Sequence, residues 1–275
     1  QIGTQGGAPP GNLTANKNVS STNGYLFNMA TTVRNIDDPF DGVLGGTPND
    51  TAHADYKLIQ IEINCLSCNR FLPLKVTSTA APKSLESGSN NGSLFVNVFD
   101  AIGSAVADAT VRVINNSTTP TINLTDITNQ NGILQLVGVP TSTQNYHIEI
   151  SRAGYSSDQT YKPGEVSNPN PLKPDATVAE QTITQLSFAI DKLSNVEVKT
   201  ANQFCAPVAN QNFSLQGNKL IGASPDILKY STSSATNSQG IKNINNLEWD
   251  NYSLNYNGAA DLLGAIPLSP ITINP

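Results

Sequence analysis

The stretch VNVFDAIGSAVADATVRV (residues 96–113), followed by TNQNGILQLVGVPTSTQNYHI (residues 128–148), decides the fold class. Val96 and Val98, then Val111 and Val113, alternate with polar residues, the period of a strand with one buried face. Gly103 and Gly132 punctuate the runs where turns need a backbone that reaches positive φ. The same order of blocks returns as VEVKTANQFCAPVANQNFSL (residues 196–215) and TNSQGIKNINNLEWDNYSL (residues 236–254). Val106 aligns with Val208, Val111 with Phe213, Thr128 with Thr236, Gly132 with Gly240 and Tyr146 with Tyr252. Blocks kept in order with loop-sized differences in spacing indicate an internal duplication.

Working outward, alternation recurs in KLIQIEIN (57–64), SFAIDKL (187–193), NFSLQG (212–217) and NYSLNYN (251–257). No long segment carries apolar residues at helical spacing. Many short alternating runs bounded by Gly, Asn, Pro and Ser predict an all-β chain of sandwiches. Three domains are expected: a β-rich head over residues 1–90, a first sandwich over 91–193 and a divergent second over 194–275. The Pro-, Ser- and Asn-rich stretch 155–186 is expected to be a long surface loop or a linker.

Of the 275 residues only 13% are charged, and the net charge is −6. An acidic chain without a Lys/Arg cluster repels phosphate backbones, so neither nucleic acid nor a polybasic membrane contact is expected. No apolar run is long enough to span a bilayer. The start at Gln1, in a Gly/Pro/Asn-rich stretch, reads as processed or truncated.

Cys65 and Cys68 form a C-x-x-C flanked by strand-like sequence on both sides. A thioredoxin-type motif belongs where a strand enters a helix, and a zinc site needs about four ligands. A local disulfide in a hairpin turn is expected, with a reduced pair as the alternative. Cys205 is then left over, free or paired between chains.

The first copy resembles the carboxypeptidase regulatory-like module, a transthyretin-like Greek-key sandwich. Asp100, Gly103, Val106, Ala109, Val111, Thr128, Gly132, Leu136, Pro140, Tyr146, Gly154 and Tyr155 fall in register with that family's pattern. Ala105 replaces its usual Pro. The second copy resembles the family more loosely. The head, through FNMATTVRNIDDPFDG, ADYKLIQIEINC and APKSLES, resembles the soluble β-region of bacterial pilin-like proteins, whose N-terminal helix anchors the subunit. These resemblances imply tandem transthyretin/Ig-like sandwiches behind a pilin-like head. They also imply a non-enzymatic cell-surface or pilus-associated structural or adhesive role, with other pilus or envelope subunits as partners. A secreted carbohydrate- or protein-binding module is the alternative. Related modules form Lys–Asn isopeptide bonds. SLFVNVFD of the first copy lacks the Lys, and Lys199 of the second reads as a surface residue.

Nucleophilic catalysis needs a nucleophile, a base and an orienting group together. His53 and His147, the only histidines, accompany no such motif. Asp37, Asp38 and Asp41, with Asp50 and Asp55 further on, form a calcium candidate, because hard cations take several oxygen ligands. Their spacing is not that of an EF-hand, and a solvated acidic turn is the competing reading. No other cofactor is expected. For a surface glycan or protein ligand, Tyr161 is the candidate contact. Tyr155 and Trp249 read instead as part-buried caps of the sandwich ends.

Overall fold

A computed structural model describes residues 2–68, 71–81, 90–258 and 262–274. Pro82 to Ser87, part of the head motif quoted above, lie outside the described residues. The chain is all-β: the described residues form twenty strands and no helix.

The head is an antiparallel meander of β1 (Asn16–Ser20), β2 (Leu26–Ile36), β3 (Tyr56–Cys65) and β4 (Leu74–Ala80), in the order β1-β2-β3-β4. β2 and β3 pair from Phe27↔Cys65 to Ile36↔Tyr56. Every residue of β3 is half-buried, whereas β1 is exposed throughout.

The first copy contributes β5 (Gly92–Phe99), β6 (Thr110–Asn115), β7 (Ile122–Ile127), β8 (Ile133–Val139), β9 (Ser142–Ser151), β10 (Asp158–Gln159), β11 (Ala176–Val178) and β12 (Ile183–Ala189). One sheet runs β12-β5-β8 and the other β10-β9-β6-β7, with β11 on β9. Alternation does what the sequence predicts: Leu94, Val96 and Val98, Val111 and Val113, and Tyr146, Ile148 and Ile150 are all buried. Each fully buried branched side chain contributes about 1.5–3 kcal/mol.

The second copy contributes β13 (Ser194–Lys199), β14 (Asn212–Gly217), β15 (Leu220–Gly222), β16 (Ile227–Leu228), β17 (Ser231–Ala235), β18 (Ile241–Leu247), β19 (Asp250–Tyr256) and β20 (Ile271–Ile273). Its sheets are β13-β18 and β17-β14-β19-β20, with β15-β16 as a separate hairpin. The pairing β5–β8 of the first copy thus recurs as β13–β18, and β9-β6-β7 as β19-β14-β17. Phe213, Leu215, Ile244, Leu247, Tyr252 and Ile273 form its core.

The duplication extends to individual hydrogen bonds. The Ala109 N–H donates to Thr128 Oγ1 at 3.0 Å, and the Gln211 N–H donates to Thr236 Oγ1 at 3.0 Å. The next turn is closed by Asn129 Oδ1, which accepts from the Asn131 and Ile133 N–H groups; Asn237 accepts likewise from Gln239 and Ile241. Gly132 and Gly240 follow with φ of 72° and 71°. Tyr146 Oη donates to the Pro140 carbonyl and Tyr252 Oη to that of Glu248. The turn after the first strand repeats too: Asp100 Oδ1 takes the N–H groups of Ile102 and Ser104, and Asn202 Oδ1 those of Phe204 and Ala206.

The chain forms two compact units. One comprises Gln1–Val98, Ala107–Glu149 and Asp175–Phe188; the other comprises Phe99–Val106, Ile150–Pro174 and Ala189–Pro275. Inside the first, Arg34 on β2 makes a bidentate pair with Asp126 on β7, its Nε 2.6 Å from Oδ2, and Asp126 is only 7% exposed. Asn35 Nδ2 donates to the Val137 carbonyl at 2.9 Å. Inside the second unit, residues 155–174 form the long surface loop that was one of the two expected readings, carrying only the short β10, and hydrogen bonds tie it down. The Leu172 N–H donates to the Ile221 carbonyl and the Ala223 N–H to that of Asn170, both at 3.0 Å. Asn168, 5% exposed, donates through Nδ2 to Ile221 O. Gly222 permits this approach, since a Cβ there would stand 2.0 Å from Asn168 Oδ1. Asn- and Pro-rich sequence here supplies side-chain hydrogen bonds instead of chain mobility.

Candidate functional site

Comparison of the two copies locates the site. In the first copy the β6–β7 connection is residues 116–121; in the second, β14 and β17 are joined by residues 218–230, which carry the β15–β16 hairpin. That hairpin supplies Lys219, Leu220, Ile221 and Lys229 to one side of a cleft of about 260 Å³. Asp158, Tyr161, Leu172 and Lys173 supply the facing side, and Trp249, between β18 and β19, adds its indole. All belong to the second unit.

Charge is concentrated here. Lys173 Nζ lies 2.5 Å from Asp158 Oδ2. Glu248, 7% exposed, accepts from Lys229 Nζ at 2.8 Å and has Lys219 Nζ at 3.7 Å. Lys229 also donates to the Ser157 carbonyl. The Lys219 ammonium sits 3.0 Å from the centroid of the Trp249 ring, a cation–π contact. Burial pulls the Lys219 pKa below the usual lysine value, and Glu248 partly offsets that. Burial, then Asp158, pushes the Tyr161 hydroxyl up. Asp250 Oδ2 accepts the Lys219 backbone N–H at 2.9 Å, so three ammonium groups meet three carboxylates around two aromatic rings.

Tyr161, expected as a ligand contact, lines this cleft, and so does Trp249. Trp249 has the partial burial expected of it and carries Lys219 on its face. Tyr155 is elsewhere, with the Arg152 guanidinium 4.7 Å above its ring. Sequence reasoning missed Lys219, Lys229, Asp158, Lys173 and Glu248. The available signal was the extra length of GNKLIGASPDILKY relative to the first copy.

The acidic turn places its carboxylates differently. Asp37 Oδ2 accepts the Leu44 N–H at 3.0 Å, Asp38 Oδ1 accepts the Phe40 N–H at 2.9 Å, and Asp41 is exposed. The Asp38 N–H donates to Asp55. Burial, with the charges of Asp55 and Asp50, raises the Asp37 pKa against the lowering effect of the Leu44 hydrogen bond. His53 is fully buried beside this turn. Among the described residues no group of three or more His, Cys, Asp or Glu side chains is disposed to hold a metal ion.

Cys65 and Cys68 are joined by a disulfide at the end of β3. Beside it the Leu26 N–H donates to Ser67 Oγ at 2.8 Å, and Phe27 meets Phe71 edge-on at 5.6 Å. Cys205 is an exposed thiol. Lys199 is exposed and paired with Glu197 at 2.7 Å. His147 Nδ1 lies 2.9 Å from Asp175 Oδ1 and Nε2 lies 3.6 Å from Glu149 Oε1. No helix among the described residues is long and apolar enough to cross a membrane.

No family model matches the chain, and no curated protein matches it. Among solved structures it is similar to the Bacillus anthracis TIE protein, at 13% identity and a TM-score of 0.29, over 89% of this chain and 38% of that one. It thus spans well under half the length of that protein. A streptococcal ancillary pilin matches at 10% identity and a TM-score of 0.28, over 79% of this chain and 72% of that one. The shaft pilin SpaA from Lactobacillus rhamnosus GG matches at 10% identity and a TM-score of 0.22, over 62% and 89%.

Proposed function

We propose that this chain is a non-enzymatic structural and adhesive protein of a bacterial surface, associated with a pilus or the envelope, in which a head (residues 1–90) carries two sandwiches (91–193 and 194–275). The observation that carries this reading is the duplication itself. One turn-and-strand scaffold is used twice, down to the Thr128 and Thr236 caps, and a cleft is built where the β15–β16 hairpin of the second copy meets residues 158–173. Repeated modules that share a scaffold and differ in their loops separate holding from contacting, the division of labour of a projecting surface protein. The Cys65–Cys68 disulfide favours an oxidising compartment outside the cytosol.

Immunogold electron microscopy of native cells, with antibody raised against this chain, tests the reading. Label on filaments or across the envelope is the expected result. Label confined to the medium would overturn it and favour a secreted binding module.

A further inference from the structure

We propose that the outer edge of β4 is a pairing surface for a second copy of this chain, β4 against β4 antiparallel, about a two-fold axis at Thr77. The inference goes beyond the function proposed above and does not depend on where the chain resides. In the head, β3 takes one side of β4, from Lys57↔Ala80 to Ile63↔Leu74. The order β1-β2-β3-β4 leaves β4 at the margin of its sheet, and no described residue pairs with its other side. Such an edge presents a row of backbone N–H and C=O groups at strand spacing, so the occupant it fits is another extended strand. Edges are commonly guarded against this by proline, bulges, short length or unpaired charge. β4 runs for seven residues with no proline, and its register with β3 is unbroken. Its one charge, Lys75, lies 3.4 Å from Glu62 on the neighbouring strand. β1, the opposite margin, has five residues and carries Lys17 between two asparagines.

The residues of β4 select a copy of the same strand. Antiparallel pairing centred on Thr77 sets Leu74 opposite Ala80 of the second copy, Lys75 opposite Thr79 and Val76 opposite Ser78. No charge meets a like charge. The two Lys75 residues stand four positions out of register, about 14 Å apart, beyond the screening length of about 8 Å at physiological salt. Thr77 meets itself on the axis, a favourable cross-strand pair. The side chains agree with the backbone. Leu74 and Val76 share a face with Ile63 and Ile61, their partners on β3, and are 52% and 50% exposed. The two-fold axis sets the same face of the second copy alongside, so the apolar stripe continues across the seam and covers both. A two-fold interface uses one patch on each chain and closes at two copies. Main-chain hydrogen bonds along a seam of about 24 Å supply the affinity, which is expected in the micromolar range.

Sedimentation velocity on the full chain across the micromolar range tests this, with the exposed Cys205 thiol alkylated so that it cannot link two chains. A dimer and nothing larger is expected. In parallel, amide hydrogen exchange along β4 should slow as concentration rises, while exchange along β1 should not. Thr77 is exposed, and Thr77→Lys or Thr77→Glu sets like charges face to face across the axis. Each should weaken the dimer about fivefold. Mixing the two variants should restore it, because Lys then faces Glu. Asn18→Lys, on β1, should leave it unchanged. A chain that stays monomeric throughout that range overturns the proposal. So does a dimer indifferent to both Thr77 variants, or growth beyond two copies, which would mean that β4 joins a different edge. If a Thr77 variant fails to fold, the concentration dependence of β4 exchange in the unsubstituted chain still decides.

Discussion

Gly103 and Cys205 occupy the same place in two copies of one turn. In the first copy the Gly103 N–H returns to Asp100 O at 3.1 Å; in the second the Cys205 N–H returns to Asn202 O at 2.9 Å. Both sit at positive φ, 85° and 61°. Glycine reaches that region freely, whereas a residue with a Cβ does so at a cost of about 1–2 kcal/mol. The hydrogen-bond frame therefore outlasts the residue best suited to it. What defines each module is the set of backbone groups that must be satisfied, and side chains vary as long as Asp100 or Asn202 still accepts the same two N–H groups.

The comparison breaks most visibly in the cores. Phe213 aligns with Val111, and both are buried. Phe213→Ala should cost about 3–5 kcal/mol and Val111→Ala about 2 kcal/mol, read by urea unfolding. Equal costs would mean that the two cores do not share a layout. Next in size are the two threonine caps. Thr128→Val and Thr236→Val each strand a backbone N–H and should each cost about 1–3 kcal/mol. A result near zero at one site and not the other would show that the caps are equivalent in geometry only.

A smaller effect of opposite sign is expected at the turn. Cys205→Gly should stabilise by about 0.5–1 kcal/mol, while Gly103→Ala destabilises by a similar amount. Calorimetry on the two variants sharpens the comparison, and a destabilised Cys205→Gly protein would mean that the thiol has contacts worth more than the backbone cost. The smallest effect is a pH dependence confined to one copy. His147 follows Tyr146, whereas Ser253 follows Tyr252. Its hydrogen bond to Asp175, against the opposing effect of burial, raises the His147 pKa above its ordinary 6.5. The folded state therefore holds that proton more tightly than the unfolded chain. This contribution is complete below about pH 6.5 and is lost as pH rises through the raised value. The melting temperature of the native protein should fall across that window, and His147→Ser should flatten the fall.

Much of the fold was legible because burial on one sheet face writes itself into sequence at period two. β5, β6 and β9 alternate in burial just where VNV, VRV and YHIEI alternate in polarity. β1 was not legible, since NKNVS is exposed along its whole length and carries no pattern. The cleft was mostly hidden for another reason. Its residues come from 158–173, 189, 219–229 and 249, and no periodicity links segments brought together by hydrogen bonds from Asn168 and Asn170. Tyr161 stood out only as an aromatic in a polar segment. The acidic turn shows the converse. Asp37 and Asp38 look like cation ligands on paper; one oxygen of each caps a backbone N–H, that of Leu44 or Phe40, while Asp37 Oδ1 is buried with no hydrogen-bond partner among the described residues.

The route of the chain through its two units has a consequence for breakage. It passes from one to the other at 98/99, 106/107, 149/150, 174/175 and 188/189. A peptide bond cut anywhere from 99 to 188 therefore leaves each fragment holding pieces of both units. Neither fragment can drift away as an intact folded body, and each would have to give up paired strands to leave. For a protein proposed to stand outside the cell among proteases, a nick in this interval is a wound that the fold itself holds closed.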